Sequence, residues 1–381
     1  MKKKILFLVN DLSFFVSHRL QIAESVISLG YSVVVGYGEL GSCKISFLKN
    51  RNIETIHIPL DRVGMNPFKE IRSLFFIFRL FLKKKPDIVH LVTIKPYLYG
   101  GIIARIAGVR GVVSSVSGLG TLFIDKKLNI KLLRALLYPI YKYAFNHPNQ
   151  IVIFQNKDDL NKFINKKILR SSKTTIINGS GVELQNFSNF EEPLGTPIVC
   201  FAARLIKDKG VFEYISAARL IKKKGIKAKF LLAGDLDTKN PTGLNYRELQ
   251  EIKNEELIEV LGYQNEIPIL YSKSNIICLP SYREGLPKSL IEAAAASRVV
   301  VTTDVPGCRD AIIPNKTGIL VPVKDVDKLA EAIIWLIQNP SKRVKMGKAG
   351  RKLAEEKFQI KKVIENHLSI YSDLLEKAKS L

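Results

Sequence analysis

Cysteine is scarce in this 381-residue chain, and the four present lie far apart. Cys43, Cys200, Cys278 and Cys308 form no C-x-x-C pair and have no histidine at ligand spacing. A disulfide framework and a zinc site are excluded as organising features, and a reducing cytoplasm fits. No stretch reaches the ~18 apolar residues that a membrane span needs. Acid is the larger deficit: 35 acidic residues stand against 59 basic ones, a net charge of +24. Such an excess calls for an anionic partner, whether a phosphorylated ligand, a nucleic acid or an acidic membrane surface, and is silent on fold. Stacking platforms of aromatics interleaved with basic residues are also missing, as is any nucleic-acid motif, so nucleic acid is not the expected partner.

At this length one compact core is too small, and two domains are expected. The start, Met1-Lys-Lys-Lys-Ile-Leu-Phe-Leu-Val-Asn10, imitates a signal peptide. Its apolar core runs only from Ile5 to Val9 before Asn10-Asp11, which reads better as a first β-strand. Short apolar runs then alternate with helix-period segments. Strands are expected at Ile5–Val9, Ser32–Val35, Ile53–Ile58, Asp87–Leu91, Val112–Val116 and Ile151–Phe154, with helices near His18–Leu29, Phe68–Lys84, Pro96–Ala107 and Ala135–Ala144. Ser180–Gly195, rich in Ser, Asn, Gly and Glu, reads as a linker. The pattern restarts at Ile198–Ala202 and continues through strands at Lys229–Ala233, Ile258–Leu261, Ile276–Pro280, Val299–Thr302 and Gly318–Val321. A helix near Lys361–Lys379 has no strand after it. Alternation of this kind predicts an α/β protein of two Rossmann-like, doubly wound domains facing a central cleft, where such folds bind ligands.

One stretch carries chemistry most clearly: Ser281-Tyr-Arg-Glu284-Gly285-Leu286-Pro287-Lys-Ser-Leu-Ile-Glu292. A strand ends at Pro280, and Pro287 suits a first helical turn, where its missing N–H costs nothing. A helix start offers backbone N–H groups and partial positive charge, a seat for a diphosphate. Glu284 and Glu292 flank it, and carboxylates accept hydrogen bonds from sugar hydroxyls. Two solvated helix glutamates would show the same spacing. A second loop, Ala203-Arg204-Leu-Ile-Lys-Asp-Lys209-Gly210, places cations between a strand and a helix, where they can neutralise a diphosphate leaving group. A merely charged surface loop would look alike.

Taken in order, Arg204-x4-Lys209, the turn Gly234-Asp235 and Glu284-Gly285-x6-Glu292 resemble the donor domain of glycosyltransferase family 4, retaining enzymes of the GT-B architecture. The segments Leu279–Pro287 and Ile313–Pro322 are similar to that family as well, and the resemblance spans nearly the whole chain. It implies a hexosyl- or N-acetylhexosaminyltransferase with Arg204, Lys209 and Glu284 as the catalytic set. Arg204 and Lys209 would bind the donor diphosphate, Glu292 the ribose hydroxyls and Glu284 the transferred sugar, with Gly234, Gly285, Leu286 and Pro287 around the donor. It further implies domains of 1–180 with the last helix (about 361–381), for the acceptor, and 181–360, for the nucleotide-sugar.

The first half carries Asn10 through His18, then His90-Leu-Val-Thr-Ile-Lys95-Pro96, then Ser117-Gly118-Leu-Gly120-Thr. This set resembles the branch of family 4 that extends polyprenyl-diphosphate-linked sugars in bacterial surface-glycan assembly (O-antigen, capsule or glycoprotein glycan). The resemblance implies a UDP-sugar donor and an undecaprenyl-diphosphate-linked acceptor. Val92 stands where many members carry a second histidine. Asn10, His18, His90, Lys95, Gly118 and Gly120 are the acceptor-side candidates; His90, at the end of a buried strand, could equally be a satisfied core residue. Lys126, Lys127, Lys131, Arg134 and Lys142, interleaved with Leu, Ile and Tyr and with no acid, suit an interfacial helix on an anionic membrane surface. Leu74–Leu82, followed by Lys83-Lys-Lys85, suits either the membrane or a buried core helix. The expected place is therefore the cytoplasm, peripheral on the inner face of the cytoplasmic membrane.

Two motifs point elsewhere. Gly36-Tyr-Gly38-Glu-Leu-Gly41 matches G-x-G-x-x-G but follows the second strand, so a turn is expected rather than a dinucleotide site. Asp235-Leu-Asp237 looks like a metal-binding pair but falls on the family's Gly-Asp turn, so neither metal nor cofactor is expected. A sugar-nucleotide epimerase of the same architecture and a basic nucleic-acid-binding protein are the rival readings.

Overall fold

The computed structural model describes residues 2–62, 64, 66–119, 137–187 and 191–379. Its chain divides into two compact units, unit 1 comprising Met1–Ser180 and Val363–Leu381, and unit 2 comprising Gly181–Lys362.

Unit 1 is built on β1 (Lys4–Asp11), β2 (Ser32–Glu39), β3 (Ile53–His57), β4 (Ile88–Val92), β5 (Gly111–Val116), β6 (Gln150–Phe154) and β7 (Thr174–Ile176). They form one sheet in the order β3-β2-β1-β4-β5-β6-β7, every pairing parallel. A parallel sheet is covered on both faces, which is why Ile5 to Val9 and Ile88 to Val92 are apolar without alternation, His90 excepted, and fully buried. Residues Thr174–Ile176 were missed in the sequence because the strand is three residues long and only half buried.

The first helix runs Leu12–Ser28, six residues earlier than expected. Asp11 caps it, its Oδ1 accepting from Ser13 N at 2.7 Å and Phe14 N at 3.2 Å, and so supplies the partners that a helix start lacks. Polar Ser13, Ser17 and His18 hid the apolar stripe of Phe15, Ile22, Ala23 and Val26. After β4 the chain passes through Thr93 at φ 76°, a strained conformation for a β-branched residue. It then makes a π-helical turn, Pro96–Gly100, before the helix Gly101–Ile106.

Unit 2 uses β8 (Ile198–Ala202), β9 (Lys229–Ala233), β10 (Ile258–Gly262), β11 (Ile276–Leu279), β12 (Val299–Thr303) and β13 (Gly318–Val321), ordered β10-β9-β8-β11-β12-β13 and parallel throughout. Tyr214, on the helix Val211–Lys223, is fully buried and donates through one hydroxyl to Val199 O and Leu231 O, both at 2.9 Å, tying helix to sheet. The expected linker Ser180–Gly195 is not slack. Val182 and Phe187 are buried in the core of unit 2, and Val182 exchanges hydrogen bonds with Phe358 O (2.8 Å) and Ile360 N (3.1 Å). Its polar composition concealed these two anchors.

The helix Ile360–Lys377 closes the chain. Within unit 1 its Tyr371 is buried against His90, and its Leu374 carbonyl accepts from Asn149 Nδ2 at 2.8 Å.

Candidate active site

Each sheet reverses its strand order once, between β1 and β4 in unit 1 and between β8 and β11 in unit 2. The connections depart in opposite directions there, and the parting loops leave a crevice at the carboxyl edge of the strands. The marked residues of the second half converge on the reversal in unit 2.

Past β8, Ala203 N and Leu205 N hydrogen-bond to Ala233 O (3.1 Å) and Asp235 O (3.0 Å), so the chain is held alongside β9 as far as Arg204. Arg204 is half exposed, and its Nη1 lies 2.6 Å from Asp237 Oδ2. Asp237 thus serves as a partner for the guanidinium. A short 3-10 turn, Lys207–Lys209, then carries Lys209 toward the loop after β11. Asp208 O accepts from Tyr282 N at 2.8 Å and lies 3.0 Å from Ser281 Oγ. Gly210, at φ 75°, presses on Pro280: a Cβ there would lie 2.1 Å from the Pro280 carbonyl oxygen. With the loops locked together, Lys209 Nζ forms an ion pair with Glu284 Oε1, and Ser281 Oγ donates to the same oxygen at 2.7 Å. Only 19% of the Lys209 side chain and 10% of the Glu284 side chain are exposed, so their attraction is less screened than on open surface.

Glu292 lies on the helix Lys288–Ala295. Burial raises its carboxyl above the usual range, against the opposing pull of Lys288, whose Nζ is 3.5 Å away. A carboxylate kept this basic is a strong acceptor for hydroxyl hydrogens.

Three donor-side expectations need correction. Pro287 is the N-cap, with φ −70° and ψ 122°, and not a first-turn residue; its extended backbone brings the chain into the helix. Leu286 is 7% exposed and packs in the core of unit 2, so its side chain is not presented to a ligand. Gly234 has its N–H bound to Gly262 O at 2.8 Å, and at φ 147° a Cβ would lie 1.9 Å from Ala203 O. It is glycine because two backbones touch there, and no phosphate is needed to explain it. Gly285 is buried in the loop between Glu284 and the helix. Sequence reasoning passed over Ser281 and Asp237, although both lie inside quoted motifs; nothing in their spacing shows that they face Glu284 and Arg204.

In unit 1, Asn10 is the next-to-last residue of β1, and Lys95 follows the end of β4. Asn10 is 7% exposed, and its Oδ1 has no hydrogen-bond partner. Lys95 Nζ is 2.6 Å from Glu70 Oε1, and Tyr99 OH donates to Glu70 Oε2 at 2.7 Å, so this cation is held by a carboxylate on the helix Pro67–Lys84. His18 stacks on Phe14, with ring centroids 4.0 Å apart, and its Nδ1 lies 2.6 Å from Ser17 Oγ. Gly118, at φ 129°, turns the chain just past β5.

His90 is corrected from acceptor side to core. It is 0% exposed, with Nδ1 2.6 Å from Tyr371 OH and Nε2 2.7 Å from Ser115 Oγ. Burial, then His367 and Arg19, push its pKa well below the ordinary value, so it is a neutral structural imidazole. Gly120, Lys126, Lys127, Lys131 and Arg134 lie outside the described residues; Lys142 is exposed on the helical segment 137–144.

The glycine motif that pointed elsewhere is also corrected. Gly36 and Gly38 lie within β2 and not in a turn, and Gly38 is glycine because a Cβ there would lie 2.0 Å from Leu60 O in the chain beyond β3. Among the described residues no group of three or more His, Cys, Asp or Glu is placed to hold a metal ion. No helix among them is long and apolar enough to cross a membrane.

Two parallel α/β sheets that each reverse their strand order once are the architecture of the GT-B glycosyltransferases. Residues 183–353 match the model of glycosyl transferases group 1, and residues 4–156 that of the glycosyl transferase 4-like domain. The chain belongs to this family. It is 26% identical over 344 residues to the N,N'-diacetylbacillosaminyl-diphospho-undecaprenol alpha-1,3-N-acetylgalactosaminyltransferase of Campylobacter jejuni, spanning 86% of this chain and 88% of the relative. It is 24% identical to the UDP-Gal:alpha-D-GlcNAc-diphosphoundecaprenol alpha-1,3-galactosyltransferase of Escherichia coli, over 85% of each. In fold it resembles a glycosyltransferase from Rickettsia africae, with a TM-score of 0.76 at 19% identity over 98% of this chain and 99% of the other.

Proposed function

We propose that this transferase moves a sugar from a UDP-sugar to a polyprenyl-diphosphate-linked sugar, with retention at the anomeric carbon, in bacterial surface-glycan assembly. The observation that carries the reading is the Lys209–Glu284–Ser281 cluster at the reversal of β8 and β11. An incoming diphosphate offers Lys209 more negative charge than one carboxylate does. Lys209 and Arg204 then neutralise the phosphates. Glu284, still held by the Ser281 hydroxyl, is released to the sugar hydroxyls, and Glu292 accepts from the ribose.

In the reaction the bond from the anomeric carbon to the diphosphate oxygen breaks, and the acceptor hydroxyl oxygen bonds to that carbon on the same face. The acceptor proton passes to the departing phosphate, and UDP leaves. No protein base takes part; the chain contributes positioning and charge stabilisation. Asn10, Lys95 and Gly118 form the acceptor side, and the Lys126–Lys142 segment adds membrane contact. The protein works peripherally on the inner face of the cytoplasmic membrane. The relatives' printed substrates, a bacillosaminyl-diphospho-undecaprenol and a UDP-Gal with a GlcNAc-diphosphoundecaprenol, support both substrate classes.

The test is to incubate the protein with a panel of UDP-sugars and undecaprenyl-diphosphate-linked sugars and analyse the lipid product. One donor–acceptor pair should give an extended lipid with the donor's anomeric configuration. Epimerised UDP-sugar without transfer, or salt-sensitive DNA binding without transfer, would overturn the reading.

A further inference from the structure

Strand β12 begins as an apolar run, Val299 to Val301, and turns polar at its carboxyl end with Thr302 and Thr303, both 0% exposed. A hydroxyl buried this deeply needs an acceptor. Thr302 Oγ1 donates to Leu279 O at 2.6 Å, a bond inside the sheet, since Leu279 is its register partner on β11. Thr303 Oγ1 donates to Ser281 O, which lies past the end of β11 in the loop that carries Glu284. The first hydroxyl therefore ties strand to strand, and the second ties strand to loop.

The chain after β12 returns to the same loop. Gly307, buried at φ 80°, lies against the backbone of Glu284 and Gly285: a Cβ there would stand 2.4 Å from Gly285 O and 2.7 Å from Glu284 O. Gly307 is itself held in place. Asp310 Oδ2 accepts from its N–H at 3.1 Å, and its carbonyl accepts from Ala311 N at 3.2 Å. Cys308, the next residue, is fully buried and close to the same carboxylate; burial, and then the Glu284 charge, raise its thiol to about 12. Lys209 and the Ser281 hydroxyl hold the Glu284 carboxylate, whereas Thr303 and Gly307 hold the backbone on either side of it.

We infer that Thr303 and Gly307 are positioning residues for Glu284. Thr303 anchors the loop ahead of it through Ser281, and Gly307 sets how closely the loop behind it can settle. They act on the part of donor recognition that reads the sugar and leave the binding of UDP alone. The inference rests on the reading of Glu284 as the partner of the transferred sugar, and adds what decides where its carboxylate stands.

The test pairs two variants of like shape, Thr303→Val and Thr302→Val, each losing one buried hydroxyl bond to a carbonyl. With the UDP-sugar of the panel that the wild type uses, Thr303→Val should lower kcat by roughly tenfold to a hundredfold, with the Kd for UDP alone unchanged by calorimetry. Thr303→Ser should restore kcat, Thr302→Val should keep it, and Gly307→Ala should show the same split as Thr303→Val. Hydrogen exchange without substrate gives an independent reading: residues 281–286 should exchange about tenfold faster in Thr303→Val than in wild type or Thr302→Val. Equal kcat and equal exchange in the two valine variants overturn the inference. So does a fall in UDP affinity that keeps step with kcat in Thr303→Val. Exchange is read without turnover, so loosening confined to Thr303→Val with no UDP-sugar transfer by the wild type would remove the functional reading alone. Transfer by the wild type with equal exchange in both valine variants would remove the positioning alone.

Discussion

The two units share one strand order around their reversal points and use polar side chains differently. In unit 2, Arg204, Lys209 and Glu284 stand in loops at the carboxyl edge of the sheet and are partly exposed, Arg204 paired with Asp237 and Lys209 with Glu284, while Ser281 supports Glu284 from a buried position. In unit 1 a polar cluster is shut inside: His90 lies between Tyr371 and Ser115, stacked on His367 at 5.5 Å, with Arg19 at 3% exposure nearby. All 5 histidines fall in unit 1 and none in unit 2. The shared topology says where a ligand can sit. Burial decides whether a polar residue is there for a ligand or for the fold.

The sharpest way to break the comparison is kinetic. Lys209→Ala or Glu284→Ala should lower kcat by about 10²–10³-fold with unchanged melting, and Glu292→Ala should raise the donor KM. Lys95→Ala should act mainly on the acceptor KM. Equal kcat losses at Lys95 and Lys209 would erase the distinction.

Acid comes next. Burial lowers the His367 pKa to about 3 and that of His90 well below 6.5, so both must be neutral in the folded state. Their contribution to stability is present above pH 6.5 and is lost as pH falls toward 3, because the unfolded chain binds the protons that the folded one refuses. At ~1.4 kcal/mol per pKa unit the loss reaches several kcal/mol. Hydrogen exchange read unit by unit should show unit 1 losing protection first through this window. His367→Phe should narrow the gap, and simultaneous loss in both units would break the comparison.

The smallest expected effect concerns unit 2 alone. Gly234→Ala meets both a positive φ and the Ala203 carbonyl, and should cost about 2 kcal/mol, seen as a lower melting temperature with activity retained below it. Activity lost without destabilisation would return Gly234 to the donor site.

Twelve of the thirteen strands among the described residues could be read in the sequence, most of them because a parallel sheet buried on both faces leaves an apolar run, which Glu54 and Glu259 interrupt in the edge strands β3 and β10. The exception, Thr174–Ile176, is half buried and carries no such mark. Where the donor loops begin was legible as well, since strand ends and helix starts bracket them. The pairings inside the site were not: Ser281 meets Asp208, and Lys209 meets Glu284, only because β8 and β11 are neighbours, and that adjacency is a matter of sheet order. His90 was open to two readings for the same reason. Its partner Tyr371 is 281 residues away, beyond the reach of any local pattern.

That distance has a consequence for the order of synthesis. Unit 2 is an insertion within unit 1, complete by Lys362, whereas unit 1 needs both the beginning of the chain and Val363 onward. On a ribosome, which releases domains from the N-terminus first, the sheet β1–β7 emerges early and then waits. Through the whole synthesis of unit 2, His90 and its apolar neighbours have no Tyr371 or Leu374 above them. The nascent protein therefore finishes its second-made half before its first, and the first needs protection from aggregation until the last helix leaves the exit tunnel.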